Sequence, residues 1–418
     1  MIDFEKDTSA GGYTIPQLDL SVMPAGADEK YRELYELVTV DDSLPYLGHP
    51  DSVLLKNGDI LTVYPSAHGK GAIRSRISRD GGKTYLNADS RQPGSWKNSR
   101  ETPTVYRLEF SDGTPDKLLL VSGNPRWGNE PTTGGFNFSL SDNEGESWSE
   151  FELCFPYLNG EKLCCVVAMA SLTRLKEDGK FIDKWMALFH TDPGFVNYKT
   201  VLSFENGRPV WSEPEPYFQQ YRDIEFASGM CEVECVRSDG GRGDELCLIT
   251  RSNRKTCNSL LSFSTDEGRT WSEPVFAPGA LNGERHKAEY LCDGRLFITF
   301  RSIERDPGKV KKYSEREGRG WYSEGWIAWV GTYDDLKNGR EGQYRIKIAH
   351  TYLPGQTAPG VCANSDVGYC GNVVIDGKTV VTSTYGAFGK LNPDGSLKTY
   401  VASKRIDLNL TDELVINI

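Results

Sequence analysis

The sequence predicts an all-β fold in which repeated four-stranded sheets surround a central channel, a β-propeller. Three observations predict it: the composition, a repeated turn segment, and a regular series of hairpin turns. The 418 residues include 43 Gly and 21 Pro, together with 20 Tyr, 17 Phe and 9 Trp. Gly and Pro favour tight turns, and aromatic residues favour strands. The composition therefore favours many short strands over helices.

Three short segments share the pattern Ser-x-Asp/Asn-x-Gly-x-Thr/Ser-aromatic. They run over residues 78–85, 141–148 and 264–271, and a fourth, degenerate copy covers residues 203–211. Their closing aromatic residues lie about 60 residues apart, a period typical of repeated supersecondary units. Repetition of this kind predicts a propeller whose blades each carry the same turn.

A second series consists of Asn-Gly and Asp-Gly pairs, which close tight hairpins. They are Asn57-Gly58, Asp112-Gly113, Asp178-Gly179, Asp239-Gly240, Asp293-Gly294 and Asp376-Gly377. Short apolar runs flank each pair, so the count predicts six inner hairpins and six blades. No linker divides the chain, and we expect one domain over residues 1–418. Residues 1–48 would supply strands that help to close the ring.

Charge and targeting signals exclude several classes of function. The net charge of −11 argues against nucleic acid or an anionic membrane as the main partner. The first residues show neither a basic nor an apolar signal region, so we expect a cytoplasmic protein. The ten cysteines match no zinc pattern and are interpreted as reduced thiols. We expect no metal and no cofactor in the site.

Polar residues stand where the inner strands of the predicted hairpins begin and end. After the second strands come His68, Arg126, His190, Arg251, Arg301 and Tyr385. Before the first strands come His49, Glu101, Glu232, His286 and Tyr369. A hairpin brings these two positions to one edge, so both sets should face one mouth of the channel. Arginine binds carboxylates through paired, charge-assisted hydrogen bonds, which predicts an acidic ligand there. The histidines His190 and His286 are interpreted as structural.

The repeated turn resembles the Asp-box of the sialidase-like β-propellers. In sialidases three arginines hold the substrate carboxylate, a Tyr–Glu pair supplies the nucleophile, and an acidic residue stands before the first Asp-box. By this resemblance Arg251 and Arg301 are two of the arginines, Glu232 the glutamate and Tyr385 the tyrosine. The Arg-Ile-Pro motif that carries the first arginine falls on Gly48-His49-Pro50, so that arginine is missing, and the acid's loop carries His68 instead.

A second group of propellers, the rhamnose–glucuronate lyases and ulvan lyases, is also similar and is typically seven-bladed. Their sites use two first-blade histidines, then a tyrosine and an arginine, which would correspond to His49, His68, Tyr106 and Arg126. The resemblance implies β-elimination at a glucuronate. In that reaction Arg126 neutralises the uronate carboxylate, the two histidines share base and acid work, and Tyr106 assists.

We therefore predict a carbohydrate-active enzyme acting on an acidic oligosaccharide, with cleavage of a rhamnosyl-α-1,4-glucuronate linkage by elimination as the first hypothesis. The catalytic set is His49, His68, Tyr106 and Arg126, and the substrate-binding set is Arg251, Arg301, Glu232, Tyr369 and Tyr385. An exo-sialidase-type glycoside hydrolase is the nearest alternative. A non-catalytic glycan-binding propeller is the second, and Trp96 and Trp127 are its candidate stacking platforms.

Overall fold

A computed structural model describes residues 12–224, 229–255, 257–314, 318–355 and 363–416. Over these residues the chain forms six sheets, which we call blades 1 to 6 in chain order of their inner strands. Within each blade the strands pair antiparallel in sequence order, from the innermost strand outward. The predicted all-β propeller is confirmed.

The first three blades are formed by residues 51–216. Blade 1 consists of Asp51–Leu54, Ile60–Ala67, Lys70–Ser78 and Leu86–Asn87. Blade 2 consists of Thr104–Leu108, Lys117–Gly123, Phe136–Ser141 and Glu152–Cys154. Blade 3 consists of Cys165–Glu177, Lys180–Thr191, Asn197–Glu205 and Arg208–Trp211, with Glu215–Pro216 also paired to its third strand. A small hairpin of Tyr157–Leu158 and Glu161–Lys162 lies between blades 2 and 3 in sequence.

The last three blades follow the same order along the chain. Blade 4 consists of Met230–Arg237, Leu246–Ser252, Leu260–Ser264 and Val275–Phe276. Blade 5 begins with Gly283–Tyr290, Leu296–Ser302, Trp326–Gly331 and Tyr344–Ala349. Blade 6 begins with Gly371–Val374, Thr379–Gly386 and Tyr400–Asp407.

Helical segments are short. The α-helical ones are Arg32–Tyr35, Ser238–Gly241, Pro307–Tyr313, Tyr333–Lys337 and Leu408–Ile416. The 3₁₀ turns are Glu29–Tyr31, Asp89–Arg91, Gly94–Asn98, Gln219–Tyr221 and Gly279–Leu281. Among the described residues no helix is long and apolar enough to span a bilayer.

Two strands near the start of the chain complete blades formed near its end. The strand Val38–Asp41 pairs antiparallel with the third strand of blade 6, and Gln17–Asp19 pairs parallel with the fourth strand of blade 5. Asp41 is buried and accepts hydrogen bonds from Arg76 (2.6 Å) and Tyr64 (2.7 Å) of blade 1. The segment thus joins blade 6 to blade 1 where the ring closes.

The number of blades is six, as the hairpin count predicts; the seven implied by the resemblance to lyases are not formed. The wide interval between the last two hairpin turns holds the outer strands of blade 5, Trp326–Gly331 and Tyr344–Ala349, and two short helices. Strands near the start of the chain extend blades 5 and 6. The additional strands therefore pair with existing sheets, and no further sheet of four forms among the described residues.

The repeated turns also clamp neighbouring blades together. In blade 4, Glu267 of the turn accepts two hydrogen bonds from Arg237 of the same blade (2.8 and 2.6 Å) and one from the backbone N–H of Lys176 in blade 3 (2.9 Å). In blade 2, Glu144 makes the same contacts with Arg107 (2.7 Å each) and with a backbone N–H of blade 1. Both clamps lie on the same face as the inner hairpin turns, which is the face opposite the predicted mouth.

Candidate functional site

Three residues at the mouth of the channel have an irregular, left-handed backbone conformation, which redirects their side chains. His49, Glu232 and Arg285 have φ of 54°, 50° and 55°, and they lie before or near the starts of the inner strands of blades 1, 4 and 5. The strand register shifts after Cys231 in blade 4 and after Glu284 in blade 5. Such bulges re-aim side chains next to functional sites. The mouth is therefore shaped by local breaks in the strand pairing.

Tyr369 and Glu232 form a buried hydrogen-bonded pair at the centre of this mouth. The phenol of Tyr369 donates to Oε1 of Glu232, and Nη1 of Arg251 donates to the same carboxylate oxygen at 2.6 Å. Nη1 of Arg251 also donates to the Tyr369 oxygen at 2.9 Å. The guanidinium carbon of Arg301 lies 5.3 Å from the centre of the Tyr369 ring. The phenol of Tyr369 therefore contacts both a base, Glu232, and a cation, Arg251.

A second buried carboxylate, Glu284, gathers three cations. Its side chain is 1% exposed, and Oε1 lies 2.9 Å from Nε of Arg251 and 2.7 Å from Nζ of Lys255. Nε of Arg301 donates to Oε2 at 2.7 Å. These cations hold the pKa of Glu284 far below its usual range despite burial, which acts in the opposite direction. Glu284 is thus ionised and links the two arginines.

His49 lies against Tyr369 and is held in one tautomer. Its ring centre is 4.8 Å from that of Tyr369, 4.4 Å from Tyr385 and 4.8 Å from His68. The backbone N–H of Gly69 donates to its Nδ1 at 3.1 Å, so the neutral ring carries its proton on Nε2. Burial, with His68 and Arg301 as further causes, lowers the pKa of His49 well below its usual value. His49 is a neutral hydrogen-bond donor.

His68 lies at the rim and contacts two residues that the sequence did not single out. Its Nδ1 is 2.5 Å from the hydroxyl of Tyr46 and 3.6 Å from Oδ1 of Asp366. The Tyr46 hydroxyl donates to Oδ2 of Asp366 at 2.8 Å. His68 is 65% exposed, in contrast to buried His49. The two histidines therefore lie side by side in different environments.

Buried polar atoms beside the Tyr369–Glu232 pair that make no hydrogen bond within the described chain include the hydroxyl of Tyr385, whose side chain is fully buried, and Oε2 of Glu232. Buried polar groups are normally paired, so these two can accept a further hydrogen-bond partner. The ring centre of Tyr385 lies 6.2 Å from that of Tyr369.

The predicted catalytic set does not come together as a whole. Tyr106 pairs with Leu119 in the middle of blade 2, and Nζ of Lys287 lies 4.9 Å from its ring centre, deeper in the channel. Arg126 is exposed on the loop after the second strand of that blade. The structure thus brings His49 and His68 together at the mouth, sets Tyr106, within blade 2, against Lys287, and leaves Arg126 exposed on its loop.

The predicted substrate-binding set does converge, with one change of role. Arg251 contacts Glu232 and Tyr369 and is linked to Arg301 through Glu284. The ring centre of Tyr385 lies 6.2 Å from that of Tyr369. The resemblance to sialidases assigned the tyrosine partner of the glutamate to Tyr385. In the structure Tyr369 donates to Glu232 instead, because its loop passes under Arg301 and reaches the bulge of blade 4.

The remaining histidines are buried among neighbours. Burial lowers the pKa of His190 to about 4, with Glu232 and Arg251 among its electrostatic neighbours. His286 donates from Nε2 to the carbonyl of Leu281 at 2.9 Å, and burial lowers its pKa to about 4. The backbone hydrogen bond supports the structural interpretation of His286. The ring of His190 stacks on that of Phe195, with ring centres 5.8 Å apart.

Sequence reasoning missed Glu284, Asp366 and Tyr46. Glu284 was within reach, since it stands at the start of an inner strand as Glu232 does, two residues before His286, which was chosen there. Asp366 and Tyr46 lie in irregular segments that carry no repeat signal. Among the described residues no group of three or more His, Cys, Asp or Glu could hold a metal ion. The arginines joined through Glu284 can bind an anion, and the carboxylates, tyrosines and histidines beside them can move protons.

No family model and no curated protein matches the sequence. Solved structures do match in fold. A protein of unknown function from Dyadobacter fermentans is 14% identical, with a TM-score of 0.59 over 88% of this chain and 96% of that one. The NanB sialidase of Streptococcus pneumoniae is 14% identical, with a TM-score of 0.55 over 89% of this chain and 70% of that one. The α-L-arabinanase of Penicillium chrysogenum is 12% identical, with a TM-score of 0.53 over 89% and 98%. At such identities the likeness shows a shared propeller fold.

Proposed function

We propose that this protein is a carbohydrate-active enzyme, a retaining glycoside hydrolase that uses Tyr369 as its nucleophile. The observation that carries the proposal is the buried contact between the Tyr369 phenol, the Glu232 carboxylate and Arg251. A nucleophile within hydrogen-bond reach of a base, with a third group orienting the base, is the arrangement that activates a weak nucleophile. The sialidase and arabinanase that share the fold act on glycans, which supports the substrate class.

The reaction proceeds in two balanced steps. In the first, the Tyr369 oxygen bonds to the anomeric carbon, its proton passes to Glu232, and the glycosidic oxygen leaves with a proton from an acid at the mouth. In the second, water attacks the anomeric carbon and the Tyr369–sugar bond breaks. The tyrosine oxygen then takes the proton back from Glu232. Two displacements at one carbon retain its configuration.

The charges around Tyr369 suit a proton transfer that occurs during attack. Burial raises the pKa of the phenol well above its usual value, so the resting group keeps its proton. Arg251 lowers the pKa of Glu232 although burial, the largest cause, acts upward, so this carboxylate is ionised and ready to accept. Arg251 also donates to the phenol oxygen and stabilises negative charge that develops there.

The charges also support an acidic sugar as substrate. Three cations, Arg251, Arg301 and Lys255, form ion pairs with two carboxylates, Glu232 and Glu284, among the described residues. An excess of cations in a buried pocket favours a ligand of opposite sign. The position of the sialidase motif that carries the first arginine falls on Gly48-His49-Pro50, so carboxylate binding relies on the two remaining arginines.

The test is covalent trapping of the intermediate. Fluorinated glycosyl fluorides of sialic acid, glucuronic acid and arabinofuranose are incubated with the protein, and its peptides are analysed by mass spectrometry. We expect one label, on the peptide that carries Tyr369, and loss of the label in Tyr369→Phe. The control Tyr157→Phe, at an exposed tyrosine, should label normally. A label on Glu232, or no label with any of the three sugars, overturns the proposal.

Elimination is the second candidate, and the contact between His49 and His68 is the observation that favours it. The two imidazoles lie on one edge of blade 1, and in this hypothesis they supply the base and the acid that elimination needs. Arg301, rather than Arg126, is then the cation near enough to neutralise a uronate carboxylate. A lyase forms an unsaturated uronate that absorbs in the ultraviolet, whereas a hydrolase does not. An ultraviolet signal from rhamnosyl-glucuronate oligosaccharides, without a label on Tyr369, would assign the lyase.

A further inference from the structure

The geometry points to His68 as the residue that protonates the leaving group, with Tyr46 and Asp366 as the positioning residues that make it an acid. This inference rests on the proposed function, which leaves the acid unassigned. It also separates the roles of the two histidines, which the sequence could not do. The argument uses three contacts at the rim of the mouth and one in its wall.

The hydrogen-bond chain at the rim fixes which nitrogen of His68 carries the exchangeable proton. A carboxylate only accepts hydrogen bonds, so the Tyr46 hydroxyl gives its single proton to Asp366. The Tyr46 oxygen must then accept from Nδ1 of His68. Nδ1 is therefore protonated in either charge state, and Nε2 on the far side of the ring gains or loses the proton.

A carboxylate faces the ring of His68 on its Nδ1 side, since Oδ1 of Asp366 lies 3.6 Å from Nδ1. Among the described residues, the rings of His49 and Tyr46 also contact it. Lys70, two residues along the chain, is paired with Glu130. Imidazole is the side chain that most often serves as a general acid or base.

His49 cannot take this role, because its surroundings fix the opposite behaviour. Nδ1 of His49 is occupied by the Gly69 N–H, and burial keeps the ring neutral. Its Nε2–H is a permanent donor. The ring of His49 contacts both Tyr369 and His68, with ring centres 4.8 Å from each. One neutral ring thus joins the nucleophile to the acid.

The proton balance closes over both steps. The His68 imidazolium gives its Nε2 proton to the glycosidic oxygen as the C–O bond breaks, and the neutral ring then takes a proton from the attacking water. Glu232 holds the Tyr369 proton between the two steps. The enzyme returns to its starting state with the sugar and the alcohol released, and no further reactant is required.

The test compares two glycosides of the same sugar, one with dinitrophenol and one with a simple alcohol as leaving group. Dinitrophenolate leaves without a proton, so His68→Ala should lower kcat/KM for it by less than about tenfold, and for the alkyl glycoside by about 10²- to 10⁴-fold. Azide should restore turnover of the dinitrophenyl substrate and give a glycosyl azide. Equal losses on both substrates, or no rescue by azide, overturn the proposal.

The positioning residues are tested through the same leaving-group comparison. Asp366→Asn should lower kcat/KM for the alkyl glycoside more than for the dinitrophenyl glycoside, because the hydrogen-bond chain that fixes the Nδ1 proton of His68 loses its carboxylate acceptor. Asp112→Asn, in an exposed turn on the opposite face, is the matched control and should leave both values unchanged. Equal effects of Asp366→Asn on the two substrates contradict the assignment. The two failures are distinguishable: if the proposed function fails, Tyr369 is not labelled, whereas if only the assignment of His68 fails, Tyr369 is labelled and His68→Ala slows both glycosides equally.

Discussion

Glu284→Gln is the substitution with the largest predicted effect on stability. The change keeps the shape of the side chain and removes one negative charge that lies 2.7 to 2.9 Å from atoms of Lys255, Arg251 and Arg301. The amide offers a single acceptor oxygen, and its NH₂ group faces cations. Because the site is 1% exposed, water cannot replace the lost charge. Removing one partner of a buried ion pair costs about 3–5 kcal/mol, and we expect a loss in that range.

The assay is urea unfolding followed by tryptophan fluorescence, and Glu234→Gln is the matched control. Glu234 is also a buried glutamate near the channel, but burial raises its pKa to about 7. Below that pH it is mostly protonated, so the amide resembles the native group and retains the acceptor for the Ala288 N–H. Glu284→Gln should therefore unfold at a much lower urea concentration than Glu234→Gln. Equal midpoints for the two variants would refute the reasoning that Glu284 is an ionised linker.

Three further outcomes follow from the same contacts. Glu267→Ala removes the clamp to Arg237 and to the backbone of blade 3, and should lower the free energy of unfolding by about 2–4 kcal/mol in urea titrations; a change below about 0.5 kcal/mol would show that the clamp is solvated. Glu234→Gln should gain stability relative to the natural protein as pH rises from about 4.5 through 7, by an amount on the order of 3 kcal/mol. The reason is that the folded natural protein holds the Glu234 proton that its unfolded chain releases over this range. A difference in the free energy of unfolding that does not change with pH would contradict the raised pKa. Trp127→Ala removes an indole that lies beside Gly69 and should raise KM for oligosaccharides about tenfold, with kcat on aryl glycosides unchanged. An unchanged KM for oligosaccharides would show that the leaving group does not contact this indole.

The fold was predictable because its signals are local. Each inner hairpin requires a turn that Asn-Gly or Asp-Gly adopts without strain, and Gly58 and Gly113 have the positive φ that such turns need. Three outer turns repeat the same side-chain capping, for example Asp80 accepting from the Thr84 N–H at 2.9 Å. Six inner hairpins imply six blades. The resemblance to lyases misled on this count because it carried a blade number from other chains.

The site was predictable only in part. The ends of the inner strands located Arg251, Arg301 and Tyr385 correctly at one mouth, since strand direction alone decides which edge they reach. The same rule chose His286 in blade 5, although Glu284 is the residue that joins the arginines. A bulge shifts the register there, and no short-range pattern marks it. Arg126 follows the rule in sequence, but its loop leaves the guanidinium exposed.

What the sequence by itself determined was therefore the repeating framework: the strand order, the turns and the face on which polar side chains collect. These depend on neighbours within a few residues. Only the tertiary structure decided which tyrosine meets Glu232, which histidine is buried with its proton fixed on Nε2, and which lies at the rim against Asp366. Those pairings join residues from different blades. Their protonation states follow from burial and from charges that no single segment of the chain contains.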